Sequence, residues 1–307
     1  VHSTFASLGA PGTSAVHHFD FGGSGTPLVM VHGLGGSALN WMAVGADFAR
    51  THRVYAIDLP GFGASEIGGW KDASVQSSAA VLLAFLDKVV GGPAILMGNS
   101  MGGLVSLLAA NQAPARVLGL VLVDPSQPLR LGMPVDWSVT GRFATYALPY
   151  FGPRYMRRWA KEKGARGLVE EMLTLCTVDM KRINSKVIDA HVQHLHARLQ
   201  SGTYTEAPFL QAARSLLALI TRPARFEAAT RTDVPTLLIS GSHDRLVPLY
   251  LSRALAKSRK DWELEVFEDS GHVPMLEHPE AFVERVESWL ARTLPQVRAP
   301  RSGSRGE

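Results

Sequence analysis

Gly98-Asn99-Ser100-Met101-Gly102, followed by Gly103, sets one serine hydroxyl between glycines two residues to either side. An apolar run, Ala94 to Met97, precedes it, and a helical pattern, Met101 to Gln112, follows. G-x-S-x-G between a strand and a helix is the spacing of a nucleophile elbow. The turn is so tight that its flanking residues must be small, and it lifts Ser100 Oγ above the sheet. At the helix N-terminus the dipole there favours developing negative charge. A serine hydroxyl also needs a base near neutrality to take its proton, and histidine is the usual one. Of the eleven histidines His272 is best placed, in Asp269-Ser270-Gly271-His272, a loop between the Trp262–Phe267 strand pattern and the helix from Pro279. The third partner is a buried carboxylate that fixes the imidazole tautomer and stabilises the imidazolium formed during attack. Asp244, in Gly241-Ser242-His243-Asp244-Arg245 after the Thr236 strand, is the first choice. Asp124, at the end of the Val117 strand, is its rival. The chain order Ser100, Asp244, His272 is the order expected of a triad built on such an elbow.

His32-Gly33-Leu34-Gly35-Gly36 ends the Pro27 strand. A glycine-rich loop there lets main-chain amides face the space above Ser100, so the oxyanion hole is assigned to the N–H groups of Leu34 and Met101. The loop lacks the Gly-Lys-Ser/Thr or the ribose-binding acid of a phosphate site. His32, His243 and His278 are expected to be structural, and Asp58 to be a turn residue. His191 and His194 share one face of a helix, but no helical carboxylate joins them, so no metal site is expected. No cofactor is expected either.

The elements that must position these groups alternate. Pro27 to His32, Arg53 to Ile57, Ala94 to Met97, Val117 to Val123, Thr236 to Ile239 and Trp262 to Phe267 are short apolar runs. Such runs fit strands covered on both faces. Ser77 to Val90, Met101 to Gln112, Leu249 to Ser258 and Pro279 to Leu294 have helical spacing. The alternation predicts an α/β fold with a doubly wound, mostly parallel sheet and right-handed crossovers, with His17 to Phe21 adding an antiparallel strand. Functional loops belong at the carboxyl ends of its strands. From Pro125 to about Thr230 the pattern is helical only (Leu168 to Leu175, Lys186 to Leu199, Phe209 to Ile220), which predicts a lid inserted over that edge. The expected organisation is a core of 1–129 and 231–294, a helical cap of 130–230 and a disordered tail of 295–307.

Composition is consistent with a soluble globular chain: 307 residues, 46% hydrophobic and 19% charged, with 29 Gly and 18 Pro. The single Cys176 excludes an intramolecular disulfide and Cys-rich zinc or iron–sulfur sites. No apolar run approaches the roughly 20 residues of a transmembrane helix. The first residues lack a basic and then apolar signal pattern, so a cytoplasmic location is expected. Net charge is +4, but residues 130–231 carry 16 Lys or Arg against 8 Asp or Glu. Such an excess could attract anions, although solvated helix faces explain it more simply. No basic run with interleaved aromatics points to nucleic acid.

Taken together, His32-Gly33, Asp58-Leu59-Pro60-Gly61-Phe62-Gly63, the 98–103 elbow, Ser242-His243-Asp244-Arg245-Leu246-Val247-Pro248 and Ser270-Gly271-His272 resemble the α/β-hydrolase fold family over about residues 16–294. That resemblance implies an eight-stranded sheet, a triad of Ser100, Asp244 and His272, and a helical cap after the sixth strand. The elbow and the segment Asp244-Arg245-Leu246-Val247-Pro248 also resemble the meta-cleavage-product C–C hydrolases. The chain departs from those in having Leu34-Gly35-Gly36 in the oxyanion loop and Val273-Pro274 after His272. Serine at the elbow separates it from haloalkane dehalogenases and epoxide hydrolases, which resemble the scaffold but carry Asp there. The expected activity is hydrolysis of a small apolar carboxylic ester, medium-chain or aromatic, by water through an acyl-enzyme. Trp137, Phe143, Tyr146, Tyr150, Phe151, Tyr155 and Trp159 are candidate pocket aromatics. C–C hydrolysis and a slow-turnover ligand receptor on the same fold are the alternatives.

Overall fold

In a computed structural model, the described residues are 1–9, 15–65, 73–128, 136, 141, 151–201, 203, 206–259 and 261–294. The expected tail, and Trp137, Phe143, Tyr146 and Tyr150 of the candidate pocket, lie outside them. Eight strands form one sheet: β1 (His2–Ala6), β2 (Val16–Gly22), β3 (Pro27–Val31), β4 (Arg53–Ile57), β5 (Ala94–Asn99), β6 (Val117–Val123), β7 (Thr236–Gly241) and β8 (Glu263–Phe267). Their order is β1-β2-β4-β3-β5-β6-β7-β8. β1 and β2 pair antiparallel and β2 meets β4 antiparallel, while β4 to β8 and β3 run parallel. This is the mostly parallel α/β sheet expected from the alternation.

Because side chains alternate across a strand, each buried strand feeds two cores. Val29, Val31, Leu96, Leu120 and Leu122 meet α2 (Val75–Phe85) and α3 (Met101–Gln112) through Leu82, Phe85, Leu104 and Leu108. Leu28, Met30, Met97, Val121 and Ile239 face the opposite way. There they meet Trp41, Phe48 in the short α1 (Gly45–Phe48), and Phe282 and Trp289 of the C-terminal helix. Apolar cover on both faces is why these strands read as unbroken hydrophobic runs.

Between β6 and β7 the described chain is helical: α4 (Phe151–Cys176), α5 (Ser185–Ser201), α6 (Ala207–Ile220) and α7 (Pro223–Thr230). Gly164, at φ 63° and ψ −179°, breaks α4 into two segments. α7 packs on α3 rather than over the site, so the last helix of this stretch belongs against the sheet's helical layer. The exposed charges of α4 are engaged locally, Arg157 with Glu206, Arg158 with Glu162 and Arg166 with Glu170 and Asp189. The chain closes with α8 (Leu249–Ser258), α9 (Pro274–Glu277) and α10 (Pro279–Thr293). No described helix is long and apolar enough to cross a membrane.

Candidate active site

Ser100 lies between β5 and α3 at φ 55° and ψ −118°, a conformation L residues rarely adopt. Such strain is of order 1–3 kcal/mol and persists only where the surroundings enforce it. Here they do. A Cβ on Gly98 would overlap the Gly102 carbonyl, and one on Gly102 would overlap the carbonyls of Val31 and His32. The Ser100 amide donates to Val123 O at 2.8 Å and its carbonyl accepts from Ser126 N at 3.0 Å, so β6 and the chain after it brace the bend. Ser100 Oγ faces Ser126 Oγ at 3.5 Å.

His272 follows β8. Its Nδ1 donates to Asp244 Oδ2 at 2.6 Å, and Asp244 Oδ1 accepts from the amides of Leu246 (2.7 Å) and Val247 (3.0 Å). The structure therefore brings Asp244, not Asp124, onto the imidazole. The His272 peptide is held from both sides: its N–H donates to Cys176 O at 2.7 Å, and its carbonyl accepts from Asn99 Nδ2 at 2.9 Å. Asn99 Nδ2 also reaches Val123 O, at 3.2 Å. Asn99 is the unspecified residue of the elbow motif, and its type alone does not reveal this clamp. Glu277 is a second residue missed in the sequence. It is 4% exposed and accepts from Gly271 N and Ser270 Oγ on one oxygen and from Val178 N and Asp179 N on the other.

His32 is buried, and it couples two loops. Its Nδ1 donates to Gly33 O at 2.7 Å and its Nε2 accepts from Leu59 N at 3.0 Å. Those contacts select the neutral tautomer, and burial holds its pKa below the ordinary value despite the nearby Asp58. Asp58 is more than a turn residue. Its carboxylate accepts from Ala38 N, Ala64 N and His17 Nδ1. Burial alone would push its pKa up, but hydrogen bonds from His17, Ala38 and Ala64, with His32 close by, hold it below the usual carboxylate value. The glycine-rich loop is thus anchored through Gly33 and Ala38 before any ligand arrives.

Ser100, His272 and Leu34 line one cavity of about 590 Å³. Met101 is the first residue of α3, where a helix amide has no intrahelical acceptor. The far wall comes from α4 to α6, with Leu168, Met172, Leu195, Phe209 and Leu216, and the polar lining elsewhere and on these helices includes Asn40, Gln127, His191, Arg198 and the Asp136–Arg245 ion pair. An apolar chamber with few polar groups is the usual form of a small-molecule site. Of the candidate aromatics whose side chains are described, Trp159 lines it as expected, whereas Tyr155 stacks on Trp159 and is 42% exposed. His191 and His194 face this cavity as well. His191 Nδ1 donates to Val187 O at 2.8 Å, and burial lowers the pKa of both rings.

Residues 26–279 match the family model described as alpha/beta hydrolase fold. A 2-hydroxymuconate semialdehyde hydrolase of Pseudomonas sp. (strain CF600) is 31% identical over 285 residues, covering 88% of each chain. A pimeloyl-acyl-carrier-protein methyl ester esterase of Aeromonas hydrophila is 25% identical, over 87% of this chain and 96% of its own. Among solved structures, a thermophilic esterase from Thermogutta terrifontis superposes with a TM-score of 0.70 at 23% identity, covering 97% of this chain and all of that one.

Proposed function

Since the chain belongs to the alpha/beta hydrolase fold family, we propose that it is a serine hydrolase cleaving small, largely apolar carboxylic esters through an acyl-enzyme. One observation carries this reading: a strained serine and a carboxylate-bound histidine open onto the same apolar cavity. In the proposed cycle the Ser100 hydroxyl exchanges its Ser126 contact for His272 Nε2, gives up its proton there and attacks the ester carbonyl. The Leu34 and Met101 amides receive the oxyanion, each such donor being worth on the order of 100-fold or more in rate. Asp244 keeps the proton on His272 Nδ1, so Nε2 is free to act as base, and it stabilises the imidazolium. His272 then protonates the leaving alcohol, and water activated by the same ring releases the acid.

C–C bond hydrolysis of the meta-cleavage-product type is the second reading, favoured by the 31% identity to the Pseudomonas hydrolase and by the polar Asn40, His191 and Arg198 in the wall. The test is fluorophosphonate labelling, then turnover of a p-nitrophenyl ester chain-length series beside a ring-fission product. Ser100→Ala should abolish labelling and lower turnover by at least about a thousandfold while leaving thermal stability close to wild type. Fast dienone cleavage with slow ester turnover would select the second reading. Labelling without repeated turnover of either class would indicate a receptor. Wild-type turnover by Ser100→Ala would refute both enzymatic readings.

A further inference from the structure

We propose that Asp124 is a positioning residue that carries a proton and donates it in a hydrogen bond to Asp244, so that the two acids together present a single negative charge to His272. The inference rests on the triad reading above and adds a fourth group to it.

The two candidate acids turn out to be neighbours rather than rivals. Asp124 directly follows β6 and Asp244 follows β7, the adjacent parallel strand, with Val123 opposite Ile239. Asp124 N donates to Ile239 O at 2.8 Å. The Asp124 side chain has no solvent exposure. One of its oxygens accepts from Ser240 Oγ at 2.9 Å and from Gly241 N at 3.2 Å, and a carboxylate oxygen of Asp124 lies within 4.8 Å of one of Asp244. One ligand atom from each of Asp124, Asp244 and His272 falls within a 4.8 Å cluster.

Two carboxylates this close cannot both be charged without strong repulsion, and burial sharpens the penalty. A proton on one of them removes it and lets that carboxyl donate to the other. Every other position on Asp244 is taken by a donor: the Leu246 and Val247 amides on one oxygen, and His272 Nδ1 on the other. Among the described residues, His272 shares the cluster and the Cys176 thiol feels the charges of Asp124, Asp244 and Glu277; none of these is a permanent cation. Arg245, next in sequence to Asp244, is drawn to Asp136 instead. Burial, then the charge of Asp244 and the bond to it, push the Asp124 carboxyl well above the usual range.

Asp124 is not among the residues lining the cavity, so it acts through Asp244. It also holds φ 45°, a region that Asp and Asn tolerate better than other L residues. Asp124→Asn is therefore a mimic of the protonated acid. Its amide N–H can donate to Asp244 while its carbonyl accepts from Ser240 and Gly241.

The experiment measures the fluorophosphonate labelling rate of Ser100 against pH for wild type, Asp124→Asn and Asp124→Ala, with infrared difference spectra of wild type minus Asp124→Asn. The expected result is an Asn variant labelled at a near-wild-type rate with its acid limb unmoved. The Ala variant should be slowed on the order of 10- to 100-fold, as when an outer partner of a liganding histidine is removed. Wild type should show the carbonyl band of an un-ionised carboxylic acid at neutral pH, absent from the Asn variant. An acid limb displaced by about 1–3 pH units in Asp124→Asn would mean that a charge was removed, and would overturn the proposal. So would a missing carboxylic-acid band, or labelling lost on treatment with EDTA, which would put a cation where the proton is assigned. Failure of Ser100 to label in wild type would sink the acyl-enzyme reading alone, because the infrared band reports the proton without turnover.

Discussion

Glu277→Gln is the substitution whose consequences the structure specifies most fully. Four donors converge on the two oxygens of Glu277: Val178 N at 2.8 Å, Asp179 N at 3.3 Å, Gly271 N at 2.6 Å and Ser270 Oγ at 3.1 Å. Glutamine has only one carbonyl oxygen. The least damaging orientation turns that oxygen to Val178 and Asp179 and lets the Ser270 hydroxyl rotate to accept from the new NH₂. The Gly271 N–H is then left buried without an acceptor. An orphaned buried donor costs about 1–3 kcal/mol, and losing charge assistance on the remaining bonds adds roughly 1 kcal/mol each, giving about 3–5 kcal/mol. With roughly 2.1 cal/mol/K of unfolding entropy per residue, a 307-residue chain shifts by about 1.5 °C per kcal/mol, so the melting temperature should fall by about 5–8 °C. Gly271 immediately precedes His272, so labelling of Ser100 should slow in the same variant. Differential scanning calorimetry beside the labelling rate makes the test, with the exposed Glu280→Gln as a control expected to match wild type. A Glu277→Gln protein melting within about 2 °C of wild type would refute the reasoning, because the four contacts would then contribute almost nothing.

Gly102→Ala drives a methyl group into the Val31 and His32 carbonyls, and it should destabilise by about 3 kcal/mol or more and abolish Ser100 labelling, as read by thermal melting and probe gel. Burial pushes the Cys176 thiol up to about 12, so a disulfide reagent at pH 8 should leave it untouched in the native protein and modify it only after unfolding in guanidinium. Stability should also depend on pH with a predictable sign. Burial lowers the folded-state pKa of His18 and His32, so their contribution is complete above about pH 6.5 and lost as pH falls, by up to about 1.4 kcal/mol per pH unit for each. Asp124 works in the opposite direction: its raised pKa favours the folded state at low pH, and that advantage is lost as pH rises above the ordinary Asp value. Denaturant titrations across pH should therefore show wild-type stability rising toward about pH 6.5 from the histidine terms, and Asp124→Asn should steepen that rise by removing the opposing Asp124 term.

Strands buried on both faces were legible because nothing else makes short runs such as Val117 to Val123 continuously apolar, and β4 and β6 have the limits the sequence suggested. β1 was not legible. Four of its five residues are exposed, Phe5 included, and an edge strand with little to bury carries no hydrophobic signature. The first half of α4 was missed because its charged and aromatic residues lack a clean apolar stripe. The elbow glycines were readable because the bend imposes residue types. Asn99, Ser126 and Glu277 were not, since each acts by reaching across to a strand end or loop distant in sequence, and spacing along the chain holds no trace of that. The partnership of Asp58 with His17 was hidden for the same reason.

The peptide of His272 is riveted at both ends, its N–H to the final turn of α4 and its carbonyl to the side chain of Asn99, beside Ser100. Heating that loosens the last turn of α4 therefore dislodges His272 while the sheet beneath is still intact. On the proposed reading, activity should be lost at a lower temperature than the one at which the chain melts. Hardening it for use would begin with the last turn of α4 rather than with the strands.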